Sequence, residues 1–230
     1  GLATTLYGIT FEENHDIPVY HPDVKAYEVH DVDGSFLAIL YTDFFPRSSK
    51  QNGAWMTSYQ EEYIDEEGEH RPHVSVTMNF TKPTKNTPSL LTFDELETFL
   101  HEFGHALHGI FAKTRYSSLS GTNVYWDFVE LPSQFMENYQ TGEDMPQALI
   151  DRLHKAHNFN AAYACMRQVS FGLLDMAYYT LKRPLSEDIR EFEHQAWASV
   201  QLLPTIEEAC MTVQFGHIMN GGYAAGYYSY

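Results

Sequence analysis

The chain has 230 residues, long enough for one or two domains with a sizeable core. Hydrophobic residues make up 43% and charged residues 20%, a globular balance that excludes general disorder. The net charge of −17, with no run of Lys or Arg, argues against a nucleic-acid partner, and no apolar run reaches the ~20 residues of a membrane span. The pattern is mainly α with a small antiparallel β-sheet: residues 1–91 read as strand- and loop-rich, and 92–230 as helical.

Ala26–His30 and Phe36–Tyr41 are β-prone runs flanking Asp31-Val32-Asp33-Gly34, a hairpin turn in which Gly supplies positive φ. Acidic Glu61–Glu69 reads as a solvated loop, and Val74–Phe80 as a further strand. Thr92 and Glu95 form a T-x-x-E capping box ahead of a periodic run. Leu96, Leu100, Phe103, Leu107 and Ile110 then make one apolar stripe, which predicts a helix to about Phe111. A second helix is expected over Tyr125–Tyr139, capped near Thr122 or Asn123, with a kink at Pro132. Further helices are expected at about 146–157, 161–181, 186–200 and 206–215. Residues 215–230 are rich in Gly and Tyr. The sequence shows no internal repeat.

His101-Glu102-Phe103-Gly104-His105 is an H-E-x-x-H motif inside the first of these helices. Histidines at i and i+4 share one helix face, so both rings reach one ion. Neutral imidazole suits Zn²⁺, and a catalytic zinc keeps a position open for water. Glu102 lies beside the ion, placed to take a proton from that water rather than to ligate. The extension H-E-x-x-H-x-x-G-x-x-H is excluded, because His108 and Phe111 stand where its Gly and third His belong. A carboxylate on the next helix is then the third ligand. Glu130 is the favoured candidate, with Glu137 and Glu143 as competitors. Asp127, Gln134 and Glu97 are candidates to hold the free N–H of a ligand histidine. His108 is read as an outer or surface residue.

Phe99–Gly109, Leu119–Asn123, Asp127–Gln134, Gly53-Ala54-Trp55-Met56 and the tail His217–Tyr230 together resemble the M3 family of zinc metallopeptidases, that of thimet oligopeptidase and neurolysin. Within it they are similar to the bacterial peptidyl-dipeptidase and oligopeptidase A branches. The resemblance implies a zincin-like catalytic half of a neurolysin-like fold, with one Zn²⁺ and Glu130 as the third ligand. It also implies that Tyr223 and Tyr230 face the scissile bond and that His217 binds or polarises substrate. Tyr227 takes the place of a substrate-contacting tyrosine, and Gly221 and Gly222 allow close approach of a peptide. Asn220 stands where bacterial members often carry a smaller residue.

The expected function is hydrolysis of short peptides. Release of C-terminal dipeptides is favoured, and an oligopeptidase A-like endopeptidase is the alternative. A non-catalytic module with a structural zinc or an accidental H-E-x-x-H is the rival from another class. Family members are longer, so residues 1–230 read as a catalytic segment of a larger enzyme. Cys165 and Cys210 are too few for a disulfide framework, which with the absence of signal-peptide features in GLATTLYGIT favours a cytoplasmic setting. The sequence carries no signal of oligomeric state.

Overall fold

A tight turn at Asp31–Gly34 organises the first part of the chain. The Gly34 amide donates to the Asp31 carbonyl (2.9 Å), and Gly34 has φ 83°, a conformation that other residues rarely adopt. The computed structural model describes residues 1–141, 145–204, 206, 208–220 and 222–229. They fall into two units, Gly1–Gly142 and Glu143–Tyr230, each with its own core.

The first unit opens with α1 (Leu2–Tyr7), β1 (Thr10–Glu13) and the hairpin of β2 (Lys25–His30) and β3 (Phe36–Asp43). β4 (Trp55–Gln60), the two-residue strands β5 (Tyr63–Ile64) and β6 (Glu69–His70), and β7 (His73–Thr77) follow. The main sheet has the order β1-β2-β3-β7-β4. The expected antiparallel sheet is corrected to a mixed one, because β7 pairs parallel with β3. Parallel neighbours need a long crossover, and residues 44–72 supply it while placing β4 on the far side of β7. The acidic stretch from Glu61 is also not simply solvated. Glu62 is fully buried, and its Oε2 accepts from the backbone amide (2.5 Å) and hydroxyl (2.8 Å) of Thr114.

α2 (Phe93–Ile110) lies on this sheet, and its capping box forms as expected. The Glu95 amide donates to Thr92 Oγ1 (3.2 Å), and Glu95 Oε2 accepts from the Thr92 amide (2.8 Å). Such caps contribute about 1 kcal/mol. Leu100, Leu107 and Ile110 are buried against Val74, Val76, Leu40 and Ala38, with Leu96 and Phe103 partly buried beside them. Gly109 permits this closeness, since a Cβ there would lie 3.0 Å from both Met56 and Val74. Arg71 secures the far end of α2. Its guanidinium donates to the Ile110 (2.9 Å) and Ala112 (3.0 Å) carbonyls and to Leu37 of β3 (2.8 Å).

The helix expected over Tyr125–Tyr139 is two helices, α3 (Trp126–Val129) and α4 (Leu131–Glu137). Glu130 joins them with φ −84° and ψ −6°. Pro132 lacks an amide proton and suits the first turn of a new helix, so it starts α4 rather than kinking a continuous one. Neither Thr122 nor Asn123 caps α3, whose flanking residue is Tyr125.

In the second unit α5 (Gln147–Phe159), α6 (Ala161–Tyr179) and α7 (Ile189–Trp197) match three of the expected helices. The fourth, over 206–215, is only a 3₁₀ turn at Met211–Val213 among the described residues. Buried Glu193 of α7 accepts the Met211 (2.9 Å) and Thr212 (2.7 Å) amides and holds that backbone out of a helix. α8 (Gly216–Met219) follows, then a turn and a 3₁₀ segment at Tyr227–Ser229. Among the described residues no helix is long and apolar enough to cross a membrane.

Candidate metal centre

One turn of α2 places His101 and His105 on the same face, with ring centroids 4.9 Å apart and planes at 84°. α4 crosses this turn at very short range. A Cβ on Gly104 would lie 2.5 Å from the Pro132 carbonyl oxygen and 2.6 Å from Ser133 Cα. The second variable position of H-E-x-x-H is therefore glycine for a steric reason. The crossing brings Glu130 to the histidines: its Oε2 is 3.2 Å from His101 Nε2 and 3.1 Å from His105 Nε2. One ligand atom from each of the three residues lies within 4.8 Å of the others. Two imidazole nitrogens and one carboxylate oxygen converging on a point are the donor set of a catalytic zinc site, so the residues fit the ion.

Supporting groups fix these side chains. Ser133 Oγ donates to Glu130 Oε2 and to the Glu130 carbonyl, both at 2.9 Å. Glu137 Oε1 lies 2.6 Å from His101 Nδ1. A proton on Nδ1 shared with that carboxylate leaves the Nε2 lone pair facing the centre. Burial disfavours the charged form of His101, but Glu130 and Glu137 outweigh it and raise the pKa to about 10.

Glu102 is 8% exposed. Burial raises its carboxyl pKa, against the opposing pull of His101 and His105 and with support from Glu130. The backbone of Met56, at the start of edge strand β4, also lowers it. A carboxylate tuned upward beside a metal site is a better proton acceptor near neutral pH than an ordinary one. His108 lies further along α2 against Phe128, and burial lowers its pKa.

The structure brings together His101, Glu102, His105 and Glu130. Glu143 lies outside the described residues. Glu137, read from sequence as a rival ligand, instead holds His101. Asp127 and Gln134 are exposed, and Glu97 accepts from Gln140 Nε2 (2.6 Å). The break at Glu130 puts Asp127 on α3, apart from α4, which carries Ser133 and Glu137. Ser133 went unnoticed in the sequence. Counting i+3 and i+7 from Glu130 would have found both Ser133 and Glu137.

In the second unit the Gly/Tyr segment forms a defined turn. The Tyr223 amide donates to the His217 carbonyl (2.8 Å), and their rings lie 5.9 Å apart. Tyr227 is 5% exposed, packs against Phe171 and Phe215, and donates its hydroxyl to Gln168 Oε1 (2.6 Å). Gly222 is exposed. Gly221 and Tyr230 lie outside the described residues.

Comparison with known proteins agrees with this geometry. Residues 1–230 match Peptidase family M3. The chain is 44% identical to a dipeptidyl carboxypeptidase of Salmonella typhimurium, over 99% of this chain and 36% of the relative. It is 41% identical to a dipeptidyl carboxypeptidase of Escherichia coli over the same shares. It is 38% identical to oligopeptidase A of Escherichia coli, over 98% of this chain and 36% of the relative. The chain thus spans little more than a third of the length of these curated relatives. With the whole chain matched and a two-histidine, one-glutamate centre on adjoining helices, the chain belongs to peptidase family M3.

Proposed function

We propose that these 230 residues are the catalytic segment of a zinc-dependent peptidase acting on short peptides, built on a zincin-like half. The observation that carries this reading is the convergence of His101, His105 and Glu130 ligand atoms within 4.8 Å beside buried Glu102. A structural zinc is normally closed by four protein ligands. Three converge here with a carboxylate next to them, which favours catalysis over a structural site or an accidental motif.

A zinc ion held there supplies Lewis-acid activation of water and of the scissile carbonyl. Glu102 accepts the proton of the attacking water and passes it to the departing amine. His217, Tyr223 and Tyr230 donate to the oxyanion or hold the substrate, with Tyr227, Gly221 and Gly222 shaping that loop. The outer edge of β4, beside Glu102, suits an extended peptide added as a further strand. The two cysteines are unpaired, in keeping with a cytoplasmic setting.

The subtype is read as a peptidyl-dipeptidase, supported by the two dipeptidyl carboxypeptidases at 44% and 41% identity. The 38% identity to oligopeptidase A supports the endopeptidase as second reading. In the full-length enzyme, Glu102→Gln is expected to keep zinc and lose hydrolysis by about 10²–10⁴-fold. Near-native turnover in that variant overturns the assignment. Matched peptides with free and amidated C-termini separate the subtypes: equal cleavage of both favours the endopeptidase.

A further inference from the structure

Asp175 is a buried carboxylate that the proposed chemistry does not use. It sits on α6, is 0% exposed, and has no cation paired with it among the described residues. Both oxygens are spent on one loop: Oδ1 accepts the Ala225 amide (2.8 Å) and Oδ2 the Tyr227 amide (3.1 Å). An isolated buried charge is costly unless its hydrogen bonds are made, so the carboxylate favours the loop conformation that supplies these two amides.

That conformation needs support of its own. Ala225 has φ 57°, a left-handed backbone that costs a residue with a Cβ and persists only where surroundings enforce it. The turn also carries the Gly226 amide to the Tyr223 carbonyl (2.9 Å). Gln168, seven residues before Asp175 on the same face of α6, accepts from the Tyr227 hydroxyl (2.6 Å). Phe171 lies between them against Tyr227 and Phe215. One face of α6 therefore forms a seat for the Gly/Tyr loop, with a charged clasp at Asp175.

We propose that Asp175 is a positioning residue: by binding the Ala225 and Tyr227 amides it fixes the turn that orients Tyr223 and His217. This rests on the reading that those side chains serve the reaction. Asp175→Asn keeps the shape but turns an amide NH₂ towards a backbone N–H, so one clasp bond becomes repulsive.

In the full-length enzyme, Asp175→Asn is expected to speed amide exchange at residues 225–227 and lower kcat at least tenfold, with zinc content and KM near wild type. Combined with Tyr223→Phe it is expected to cost clearly less than the sum of the two single losses, since part of its effect acts through that hydroxyl. Unchanged exchange, unchanged kcat, or fully additive losses overturn the inference. If Asp175→Asn does not fold, Gln168→Leu replaces it; it leaves the carboxylate intact, and the same non-additivity is expected at smaller size. Should Tyr223→Phe alone keep full kcat, the catalytic reading of the loop fails and this inference with it. The zinc reading is judged separately by Glu102→Gln.

Discussion

The metal helix and the Gly/Tyr loop are held by opposite means. On α2 the two histidines are placed by the helix itself, one turn apart, and the helix is secured by a capping box at one end and Arg71 at the other. In the loop the regular elements among the described residues are only the one-turn α8 and the 3₁₀ turn at Tyr227–Ser229. Its turn depends on Asp175 and Gln168, which lie 50 and 59 residues away from their partners in sequence. Placement on α2 is therefore local and rigid, whereas placement in the loop is remote and rests on a few buried polar bonds.

Breaking the ligand set is expected to have the largest effect. Glu130→Ala removes the proposed third ligand from outside α2, and zinc affinity measured against a chelator is expected to fall beyond the ~10–100-fold typical of an outer partner. Retained zinc at that variant would move the third ligand elsewhere. Glu137→Gln sharpens the same point at about 10–100-fold, because it loosens His101 without removing a ligand. Asp127→Asn and Gln134→Ala serve as controls, with affinity unchanged.

Gly104→Ala tests whether the placement depends on helix contact. The added methyl meets main-chain atoms that cannot swing aside, so a loss of roughly 1–3 kcal/mol in stability is expected, together with weaker zinc binding. A stable variant with native affinity would show that α4 can shift without moving Glu130.

The smallest expected effect concerns acid. Burial alone would raise the pKa of Asp43, but hydrogen bonds from Arg47 (2.9 Å to each oxygen), Lys50 (3.0 Å) and Tyr20 (2.9 Å) outweigh it and hold it below the usual range. A depressed folded pKa contributes stability above the unfolded value of about 3.9, lost as pH falls through the folded one. Burial also lowers the pKa of Lys50, a cost that does not change between neutral pH and pH 3, so of this pair only Asp43 makes stability fall in acid. Thermal unfolding followed from neutral pH down to pH 3 should show a steeper fall for wild type than for Asp43→Asn. Parallel curves would remove this cluster as the acid-sensitive element.

The same contrast explains what could be read from the chain. The α2 stripe, its cap and the H-E-x-x-H face follow from 3.6-residue periodicity and are visible in the letters. Glu130 was within reach, and Ser133 and Glu137 follow from it by counting along α4, but the restart of the helix at Pro132, which separates Asp127 from them, was not visible. Buried Glu62 and Glu193 were hidden for another reason. An acidic residue in a charged stretch looks solvated until the fold supplies the amides that satisfy it. Asp175 and the left-handed Ala225 belong to the same class, since neither has a local pattern to announce it.

The contact at Gly104 has a consequence for the choice of ion. Where two helices meet through main-chain atoms, their separation is a fixed ruler, and the ligand triangle inherits its size. Side chains alone would let the triangle breathe to suit many radii. At the proposed centre a larger ion would act against that spacing, so weaker retention of larger divalent ions than of zinc is the expected outcome of a metal-exchange titration.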